Sequence, residues 1–335
     1  MTARVALLDD YQGVARSMAD WDRLAGVEVQ AFRDHLTDEA AVASRLAPFE
    51  AVVAMRERTP FPDTLLERLP SLRLLVTTGM ANASIDLAAA TRLGIVVCGT
   101  RGLDHPPVEL TWGLILAAVR DIPREHWATR RGRWQTTLGT GLRGKTLGVI
   151  GLGRLGSQVA AIGRAFGMSV MAWSRNLTPE RAAECGATLV SKDDLFRLSD
   201  IVTVHLKLSP RTLGVIGAEE LRLMKPTAYL INTSRGPIVE EAALIEALSK
   251  GAIAGAALDV FDEEPLPEAH PFRRIDRLII TPHLGYVTLE NYRLYYGDAV
   301  EDVGAFLEGR PVRMLNPEVV TSAGFRGSAV SPRGD

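Results

Sequence analysis

One stretch of the chain reads Thr146-Leu147-Gly148-Val149-Ile150-Gly151-Leu152-Gly153-Arg154-Leu155-Gly156, and the architecture follows from it. An apolar run, glycines spaced G-x-G-x-x-G and then apolar residues at helical spacing predict a strand, a tight turn and a helix. In such a unit the first glycine permits the bend, the second lets backbone N–H groups approach a pyrophosphate, and the third allows close packing of helix on strand. The stretch therefore predicts a dinucleotide-binding unit.

The same glycine spacing occurs a second time, at Gly139–Gly144. The residues before this copy, Thr129–Thr137, are polar and provide no strand that would deliver the chain into a turn. We therefore interpret Gly139–Gly144 as a surface loop. For Gly151–Gly156 a purely structural turn remains the alternative, because glycines also serve close packing.

Short apolar runs alternate with amphipathic segments along most of the chain, which is typical of parallel sheets covered by helices on both faces. The first series of runs is Val5–Leu8, Val27–Phe32, Ala51–Ala54, Leu74–Val76 and Ile95–Val97. The second series is Thr146–Ile150, Ser169–Trp173, Ile201–Val204, Ala228–Ile231, Gly255–Leu258 and Leu278–Ile280. We expect an α/β protein with two doubly wound parallel-sheet domains, the second of them a Rossmann dinucleotide-binding domain.

The expected domain boundaries follow from these two series. Residues 1–100 form the first part of a substrate domain, and residues 101–287 form the NAD(P)-binding domain. Residues 288–318 return to the substrate domain through an amphipathic helix, Leu289–Phe306. Residues 319–335 are rich in Gly, Ser and Arg and lack periodicity, so we expect a disordered tail.

Composition and charge narrow the class of protein. The chain has 335 residues, a formal net charge of −2, 47 % apolar and 23 % charged residues, which offers no attraction to nucleic acid or to an acidic membrane. Its apolar runs are too short for a signal peptide or a membrane span. The two cysteines, Cys98 and Cys185, are far apart and have no histidines nearby, so we expect no metal site and a reducing, cytoplasmic location. A small molecule is the expected partner.

The residues after the second strand bear on the choice of dinucleotide. An NAD site usually places an acid about 20 residues after the glycines to hold the ribose 2′-hydroxyl. No acid occurs between Gly151 and Pro179, and the strand ends with Ser174 and Arg175. An arginine beside a serine suits a 2′-phosphate, so we predict NADP, with NAD as the alternative and a solvated arginine as the simplest structural reading.

Three later strands end in polar residues. Arg235 follows Ile231-Asn232-Thr233-Ser234, Glu264 follows Asp259-Val260-Phe261-Asp262-Glu263, and His283 follows Thr281-Pro282. The carboxyl ends of strands form the ligand crevice in a doubly wound sheet. We therefore expect a cation, a carboxylate and an imidazole on the same edge as the glycine turn.

These pieces together resemble the D-isomer-specific 2-hydroxyacid dehydrogenase family, which includes phosphoglycerate dehydrogenases and glyoxylate/hydroxypyruvate reductases. The resemblance covers nearly the whole length. The segments that carry it are Thr78-Gly79 with Asn82 and Ile85-Asp86, Gly151–Gly156, His205–Thr212, Met224-Lys225-Pro226, Asn232–Gly236, Asp259–Pro265 and Thr281–His283. It implies a flavodoxin-like substrate domain beside the Rossmann domain.

The resemblance also implies roles for the polar residues. Arg235 grips the carboxylate and carbonyl of a 2-keto acid with its donor fork. His283 is the general acid in reduction and the base in the reverse direction. Glu264 fixes the imidazole and favours its charged form. A hydride then passes between NAD(P)H and a 2-keto acid, most simply in a glyoxylate/hydroxypyruvate-type reductase.

Further roles are carried over by position. The substrate carboxylate is expected to meet Thr78, Gly79 and Met80, the last two through backbone N–H groups, together with Arg235 and His283. The expected cofactor-binding residues are Gly151, Gly153, Arg154, Leu155, Gly156, Ser174, Arg175, Thr111, Thr233, Ser234, Asp259 and Gly285. His205, inside an apolar strand, is expected to be a core histidine.

Two departures and one rival stay open. Formate dehydrogenases of the family carry Gln where Glu264 stands, so formate is disfavoured. Arg101 lies in a loop that departs from the family pattern. Two interpretations of Arg101 stay open: it selects a dicarboxylate or a phosphorylated acid as substrate, or its side chain lies in solvent. The alternatives to a glyoxylate/hydroxypyruvate reductase are a D-3-phosphoglycerate dehydrogenase-like enzyme and a non-catalytic dinucleotide sensor of the corepressor type. The resemblance implies a homodimer, and the apolar helix Val108–Val119 with the arm Trp127–Trp134 fits one.

Overall fold

A computed structural model describes residues 2–322 and 324–327, and the chain divides into two compact units. Unit 1 consists of Met1–Leu103 and Thr288–Asp335, and unit 2 consists of Asp104–Val287. The chain thus builds part of unit 1, completes unit 2 and then returns to unit 1. The first division follows Leu103, three residues after the position expected from the sequence.

Unit 1 is built on a parallel sheet. Its strands are β1 (Ala3–Leu7), β2 (Val27–Ala31), β3 (Ala51–Ala54), β4 (Leu74–Thr77) and β5 (Val96–Gly99), and its first helices are α1 (Glu39–Leu46), α2 (Asp63–Glu67) and α3 (Leu87–Arg92). The strand order is β2-β1-β3-β4-β5, which is the order of the flavodoxin-like fold. Strands β3, β4 and β5 are buried along their whole length, because helices cover both faces of the sheet.

Unit 2 is built on a second parallel sheet. Its helices are α4 (His105–Val119), α5 (Ile122–Arg130), α6 (Arg154–Ala165), α7 (Pro179–Glu184), α8 (Lys192–Leu198), α9 (Ala218–Leu223) and α10 (Glu241–Ser249). Its strands are β6 (Thr146–Ile150), β7 (Ser169–Trp173), β8 (Thr188–Leu189), β9 (Ile201–Val204), β10 (Tyr229–Asn232), β11 (Gly255–Leu258) and β12 (Leu278–Ile280). The order β12-β11-β10-β9-β6-β7-β8 is that of a Rossmann domain with one further strand. The sequence predicted each of these strands except β8, which has only two residues.

The sheet of unit 2 separates two apolar cores. Leu147 and Val149 of β6 lie in one core together with Trp112 and Ile115 of α4, while Ile150 lies in the other. Successive strand residues point to opposite faces, so one strand contributes to both cores. Helix α4 is apolar on most of its surface because it is buried in unit 2, and it needs no second role to explain its composition.

The C-terminal part of unit 1 begins with α11 (Leu289–Leu307) and continues into a short 3-10 helix, Pro317–Thr321. Val319 is fully buried, and the Arg326 guanidinium donates to the carbonyl oxygens of Leu69, Pro70 and Leu72 at 3.2, 3.1 and 2.9 Å. The expectation of disorder from residue 319 is therefore wrong for residues 319–322 and 324–327. Hydrogen bonds from one arginine to a few carbonyl groups leave no signature in the composition, so the sequence could not predict them. The rest of the segment expected to be disordered, residues 323 and 328–335, lies outside the described residues.

The second glycine copy, Gly139–Gly144, lies in irregular backbone, as expected for a loop. None of the helices in residues 2–322 and 324–327 is long and apolar enough to cross a membrane.

Candidate active site

The glycine turn of unit 2 uses its three glycines in three different ways. Gly151 has a φ of +97°, and a Cβ atom there would lie 2.7 Å from the carbonyl oxygen of His205. A Cβ atom on Gly156 would lie 2.1 Å from the carbonyl oxygen of Gly151, so this glycine permits α6 to pack on the turn. A Cβ atom on Gly153 would meet nothing within 4 Å, so its backbone borders open space.

This open space lies where a dinucleotide is expected to bind. Strand β6 stands between β7 and β9, which is the point where the strand order reverses, and α6 begins at Arg154 directly after the turn. Backbone N–H groups of the first helical turn have no partner within the helix and attract a pyrophosphate. The residues of the turn thus fit a nicotinamide dinucleotide, and the side chain of Leu155 packs against the core, which leaves its backbone for the nucleotide.

The residues predicted to choose the dinucleotide lie at the end of β7. Ser174 is half-buried, and its carbonyl oxygen accepts the N–H of Leu177 in a turn. Arg175 is exposed and makes no hydrogen bond or ion pair with the residues that the structure describes. The guanidinium is therefore available to an anion at this strand end.

Thr111, Thr233 and Ser234, predicted to face the cofactor, are joined to their surroundings by their hydroxyls. The Oγ1 atoms of Thr111 and Thr233 are 2.8 Å apart, and Thr111 donates to the carbonyl oxygen of Pro107 at 2.7 Å. Because a hydroxyl has one proton, Thr233 must donate to Thr111. Ser234 donates to the carbonyl oxygen of Leu206, so β10 and the segment that passes Gly151 are tied together.

Arg235 follows β10 in a loop shaped by its neighbours. The side chain of Asn232 accepts the N–H of Ser234 at 3.0 Å and donates to the carbonyl oxygen of Arg235 at 2.9 Å. A Cβ atom on Gly236 would lie 2.1 Å from the carbonyl carbon of Phe261, so only glycine allows these two loops to touch. The sequence analysis used Asn232 and Gly236 only as part of the resemblance and assigned them no role, although asparagine and glycine directly after a strand are a usual signal of a tight turn.

Asp259 directly follows β11 and organises the loop after β12. One carboxylate oxygen accepts the Thr281 hydroxyl at 2.6 Å and the Leu284 N–H at 2.7 Å, and the other accepts the Gly285 N–H at 2.8 Å. Burial raises the pKa of Asp259, against the lowering effect of these hydrogen bonds. Asp259 and Gly285 thus shape the loop that carries His283, while their predicted contact with the nicotinamide stays a prediction.

Glu264 and His283 form a close pair. Nδ1 of His283 lies 2.6 Å from Oε2 of Glu264, and Oε1 of Glu264 accepts the N–H of Phe261 at 3.0 Å. His283 has a φ of +54°, a left-handed conformation that a residue with a side chain rarely adopts. Both carboxylate oxygens are thereby fixed, and among the described residues Nε2 of His283 makes no hydrogen bond.

Arg235, Glu264 and His283 follow β10, β11 and β12, which are neighbours in the sheet. The Gly236–Phe261 approach and the Glu264–His283 pair connect the three loops in turn. The structure thus places these three residues on one edge of unit 2, at the same ends of the strands as the glycine turn. A fixed imidazole and a guanidinium at such an edge can protonate and orient a small anionic substrate.

His205 differs from His283. Its Nε2 lies 2.9 Å from Oγ1 of the buried Thr203, and burial lowers its pKa to about 4. The residue therefore stays neutral at physiological pH and serves the packing beside Gly151.

The substrate loop predicted in unit 1 makes hydrogen bonds within the chain. The N–H of Gly79 donates to Oγ1 of Thr100 at 2.9 Å, so a carboxylate would have to replace this bond, and the predicted contact of Gly79 with the substrate stays a prediction. The hydroxyl of Thr78 accepts the N–H of Arg56 at 2.9 Å, and Met80 is half exposed. Arg56, which sequence reasoning missed, donates to the Thr78 carbonyl oxygen at 3.1 Å and lies over Gly79.

Arg101 has a partner within unit 1. Its Nε and Nη2 donate to the two carboxylate oxygens of Asp298 at 3.0 and 2.6 Å, and its N–H donates to the same group at 2.8 Å. Burial raises the pKa of Asp298, but the hydrogen bonds from Arg101 and the charge of Arg313 hold it below its usual value. Arg101 is thus paired with Asp298, and its side chain is also 65 % exposed to solvent.

The other acid–histidine pairs lie outside this set. His35 lies 2.8 Å from Asp9, and His270 lies 3.1 Å from Glu241. Within residues 2–322 and 324–327, no three His, Cys, Asp or Glu side chains come together as metal ligands.

Comparison with known proteins agrees with this geometry. Residues 112–285 match the family model described as D-isomer specific 2-hydroxyacid dehydrogenase, NAD binding domain. The chain is 44 % identical over 267 residues to the glyoxylate reductase of Aeropyrum pernix, an alignment that covers 76 % of this chain and 80 % of that protein. It is 37 % identical over 291 residues to the D-3-phosphoglycerate dehydrogenase of Synechocystis sp., covering 84 % of this chain and 52 % of that protein.

Among solved structures, a phosphoglycerate oxidoreductase of Vibrio cholerae superposes with a TM-score of 0.87 at 37 % identity, covering 91 % of this chain and 99 % of that one. The family match, the two-sheet architecture and the edge that bears Arg235, Glu264 and His283 agree with one another. The chain therefore belongs to the D-isomer-specific 2-hydroxyacid dehydrogenase family and is a nicotinamide-dependent oxidoreductase.

Proposed function

We propose that the chain reduces a short 2-keto acid, glyoxylate or hydroxypyruvate, to the corresponding 2-hydroxy acid with a preference for NADPH. The observation that carries this proposal is the 2.6 Å pair between Glu264 and His283 on the strand edge that also bears Arg235. The bound dihydronicotinamide supplies the hydride. The protein must bind the carboxylate, polarise the adjacent carbonyl and deliver one proton.

The proton is assigned to His283. A carboxylate is only an acceptor, so Glu264 places a proton on Nδ1 and leaves Nε2 to face the substrate. The charged imidazole then donates its Nε2 proton to the carbonyl oxygen as this oxygen gains negative charge. In the reverse direction the neutral Nε2 accepts the hydroxyl proton.

The carboxylate is assigned to Arg235. Its planar fork presents parallel N–H donors that match a carboxylate and the neighbouring carbonyl oxygen. The bond from its Nη1 to the carbonyl oxygen of Ser234, at 2.7 Å, restrains the guanidinium before substrate binds. This restraint reduces the entropy lost on binding.

The preference for NADPH is assigned to Ser174 and Arg175, because the exposed Arg175 has no competing acid nearby in the sequence. Replacing Arg175 by Ala should lower kcat/KM for NADPH by about tenfold or more, the effect of losing one charge-assisted bond, and leave NADH within about twofold. Arg181→Ala on α7 is the matched control and should change neither value. A wild-type kcat/KM for NADH at or above that for NADPH would contradict the preference.

The substrate is tested with a panel of 2-keto acids. Oxidation of NADPH should be fastest with glyoxylate or hydroxypyruvate, slower with pyruvate, and slowest with 3-phosphohydroxypyruvate, since Arg101 is held by Asp298. The relatives that are phosphoglycerate dehydrogenases favour the phosphorylated acid as the second candidate. Fastest turnover with that acid would select the second candidate, and binding of NADPH without any turnover would select the sensor.

We further propose a homodimer. Trp127, Trp134 and Leu138 are 58, 77 and 99 % exposed on α5 and the segment after it, and large exposed apolar side chains in one segment usually mark a protein interface. Light scattering after size exclusion should give twice the mass of the chain. Trp134→Ser with Leu138→Ser should shift the protein toward the monomer, and a wild-type monomer would contradict the proposal.

We also propose a cytoplasmic location, because Cys98 and Cys185 are free thiols in the structure, as is usual in a reducing compartment. Fractionation of the cells that make the protein tests this location.

A further inference from the structure

One ion pair of unit 2 lies directly beside the glycine turn. Nη1 of Arg154, the first residue of α6, is 3.0 Å from Oδ1 of Asp104. The two side chains are 75 and 37 % exposed, so the pair is open to solvent and to ligands. It joins the start of α6 to the start of α4.

The Asp104 carboxylate can make this pair because it forms no capping hydrogen bond with α4. It occupies the N-cap of α4, where an aspartate usually accepts the N–H of the second or third helical residue. Those residues are Pro106 and Pro107, which have no N–H. The carboxylate therefore makes no capping bond and turns to Arg154 instead.

Arg154 requires an anion nearby. The amino end of a helix carries partial positive charge, and a cation in the first turn is unfavourable unless it is balanced. The open space beside Gly153 is where the dinucleotide pyrophosphate is expected, so the pyrophosphate and Asp104 are two anions that suit the same guanidinium.

We propose that Asp104 competes with the pyrophosphate of the dinucleotide for Arg154. In the absence of dinucleotide the carboxylate holds the guanidinium beside the turn, and in its presence the carboxylate weakens binding and favours release. Asp104 is thus a positioning residue for Arg154. This inference rests on the assignment of the turn and of Arg154 to dinucleotide binding.

The test is a titration of dihydronicotinamide fluorescence with NADPH and with NADH. Asp104→Asn should lower Kd by about three- to fivefold, as expected for an exposed ion pair. The factor should be the same for both dinucleotides because they share the pyrophosphate. Arg154→Ala should raise both Kd values, and adding Asp104→Asn to it should produce a clearly smaller change than in the wild type.

Asp121→Asn is the matched control. Asp121 is the N-cap of α5, makes no capping bond and is also followed by a proline in the first turn, so its substitution should leave both Kd values unchanged. Asp104→Ser provides a second variant, and thermal melting shows that each variant folds.

An unchanged or higher Kd in both folded Asp104 variants would overturn the proposal, as would an equal decrease in the Arg154→Ala background. Failure of wild-type protein to bind either dinucleotide would instead overturn the proposed function on which the inference rests.

Discussion

Gly153 and Gly156 belong to the same glycine motif but have different roles, and substitution of each by alanine should distinguish an effect on dinucleotide binding from an effect on stability. Gly153→Ala adds a methyl group in open space at a φ of −82°, so the fold should tolerate it while Kd for NADPH rises about tenfold or more. Gly156→Ala places a methyl group against the Gly151 carbonyl, so the melting temperature should fall by several degrees, about 1 kcal/mol or more. Thermal melting and fluorescence titration measure both effects. An unchanged Kd in Gly153→Ala would show that the pyrophosphate does not approach this backbone.

His283 and His270 are each paired with an acid, at 2.6 and 3.1 Å, yet only His283 lies on the strand edge with Arg235. His283→Gln should lower kcat by roughly 10²- to 10⁴-fold, the usual contribution of a general acid, and leave Kd for NADPH unchanged. His270→Gln is the control and should keep kcat within about twofold. Similar kcat values for the two variants would remove His283 from the proton transfer.

At the scale of single residues, the sequence identified charged and titratable side chains that directly follow apolar strands. It did not identify contacts that depend on the geometry of the backbone. A cation, a carboxylate and an imidazole after three apolar strands were recognisable, and the structure places Arg235, Glu264 and His283 together. The use of the Gly79 N–H by Thr100 depends on how two loops meet, which no local pattern encodes.

Helix α11 carries two acids one turn apart whose pKa values are shifted in opposite directions. Burial raises the pKa of Asp298, but its hydrogen bonds with Arg101 and the charge of Arg313 lower this pKa below its usual value. Burial raises the pKa of Asp302 to about 7, although Arg313 donates to its Oδ1 at 3.0 Å. The charges of Asp298 and Glu301 contribute to this raised pKa, and within the described residues Oδ2 of Asp302 has no hydrogen-bond partner.

The raised pKa of Asp302 makes stability depend on pH. Between about pH 4, where the unfolded chain loses this proton, and about pH 7, where the native state loses it, the native state binds more protons. The free energy of unfolding therefore falls as the pH rises through this window. Asp302→Asn should remove this fall and melt higher than the wild type above pH 7, as measured by melting curves from pH 4 to 9.

Asp298→Asn is the opposite case and serves as the control. Because the folded pKa of Asp298 is lowered, its stabilisation is present above the unfolded value of about 4 and is lost as the pH falls through the folded value. This variant should thus be less stable than the wild type at neutral pH and converge with it in acid. Parallel melting curves for wild type and Asp302→Asn would refute the assignment of the pH dependence to Asp302.

Elements that bury a continuous apolar run were the easiest to predict. Strands β3, β4 and β9 are buried throughout, and the sequence located each of them within one residue of its ends. The sequence did not predict β8, because this strand has only two residues, of which Thr188 is exposed, and two residues cannot show a hydrophobic periodicity. The contacts of Arg326 were not predicted for a related reason, since hydrogen bonds to a few carbonyl groups leave no apolar pattern in the sequence.

At the scale of the molecule, the order of elements along the chain fixes which unit can exist alone. Unit 2 is one continuous segment, Asp104–Val287, whereas unit 1 needs segments on both sides of it. Alternating strands and helices predicted both sheets, and the return of α11 to unit 1 was expected from the amphipathic run after residue 288. Continuity thus makes unit 2 the natural candidate for independent folding.

A fragment of residues 104–287 should therefore fold and bind dinucleotide without the rest of the chain. It contains both cores that flank its sheet, the glycine turn and the Asp104–Arg154 pair, and its length lies within the range of independent domains. We expect one cooperative thermal transition and a Kd for NADPH within about tenfold of the full chain. Keto acid reduction should be lost, because Thr78 and Met80, which the sequence predicts to bind the substrate, belong to unit 1. A folded fragment that still reduces glyoxylate at the full rate would show that unit 2 alone binds the substrate, and an unfolded fragment would show that its cores are insufficient.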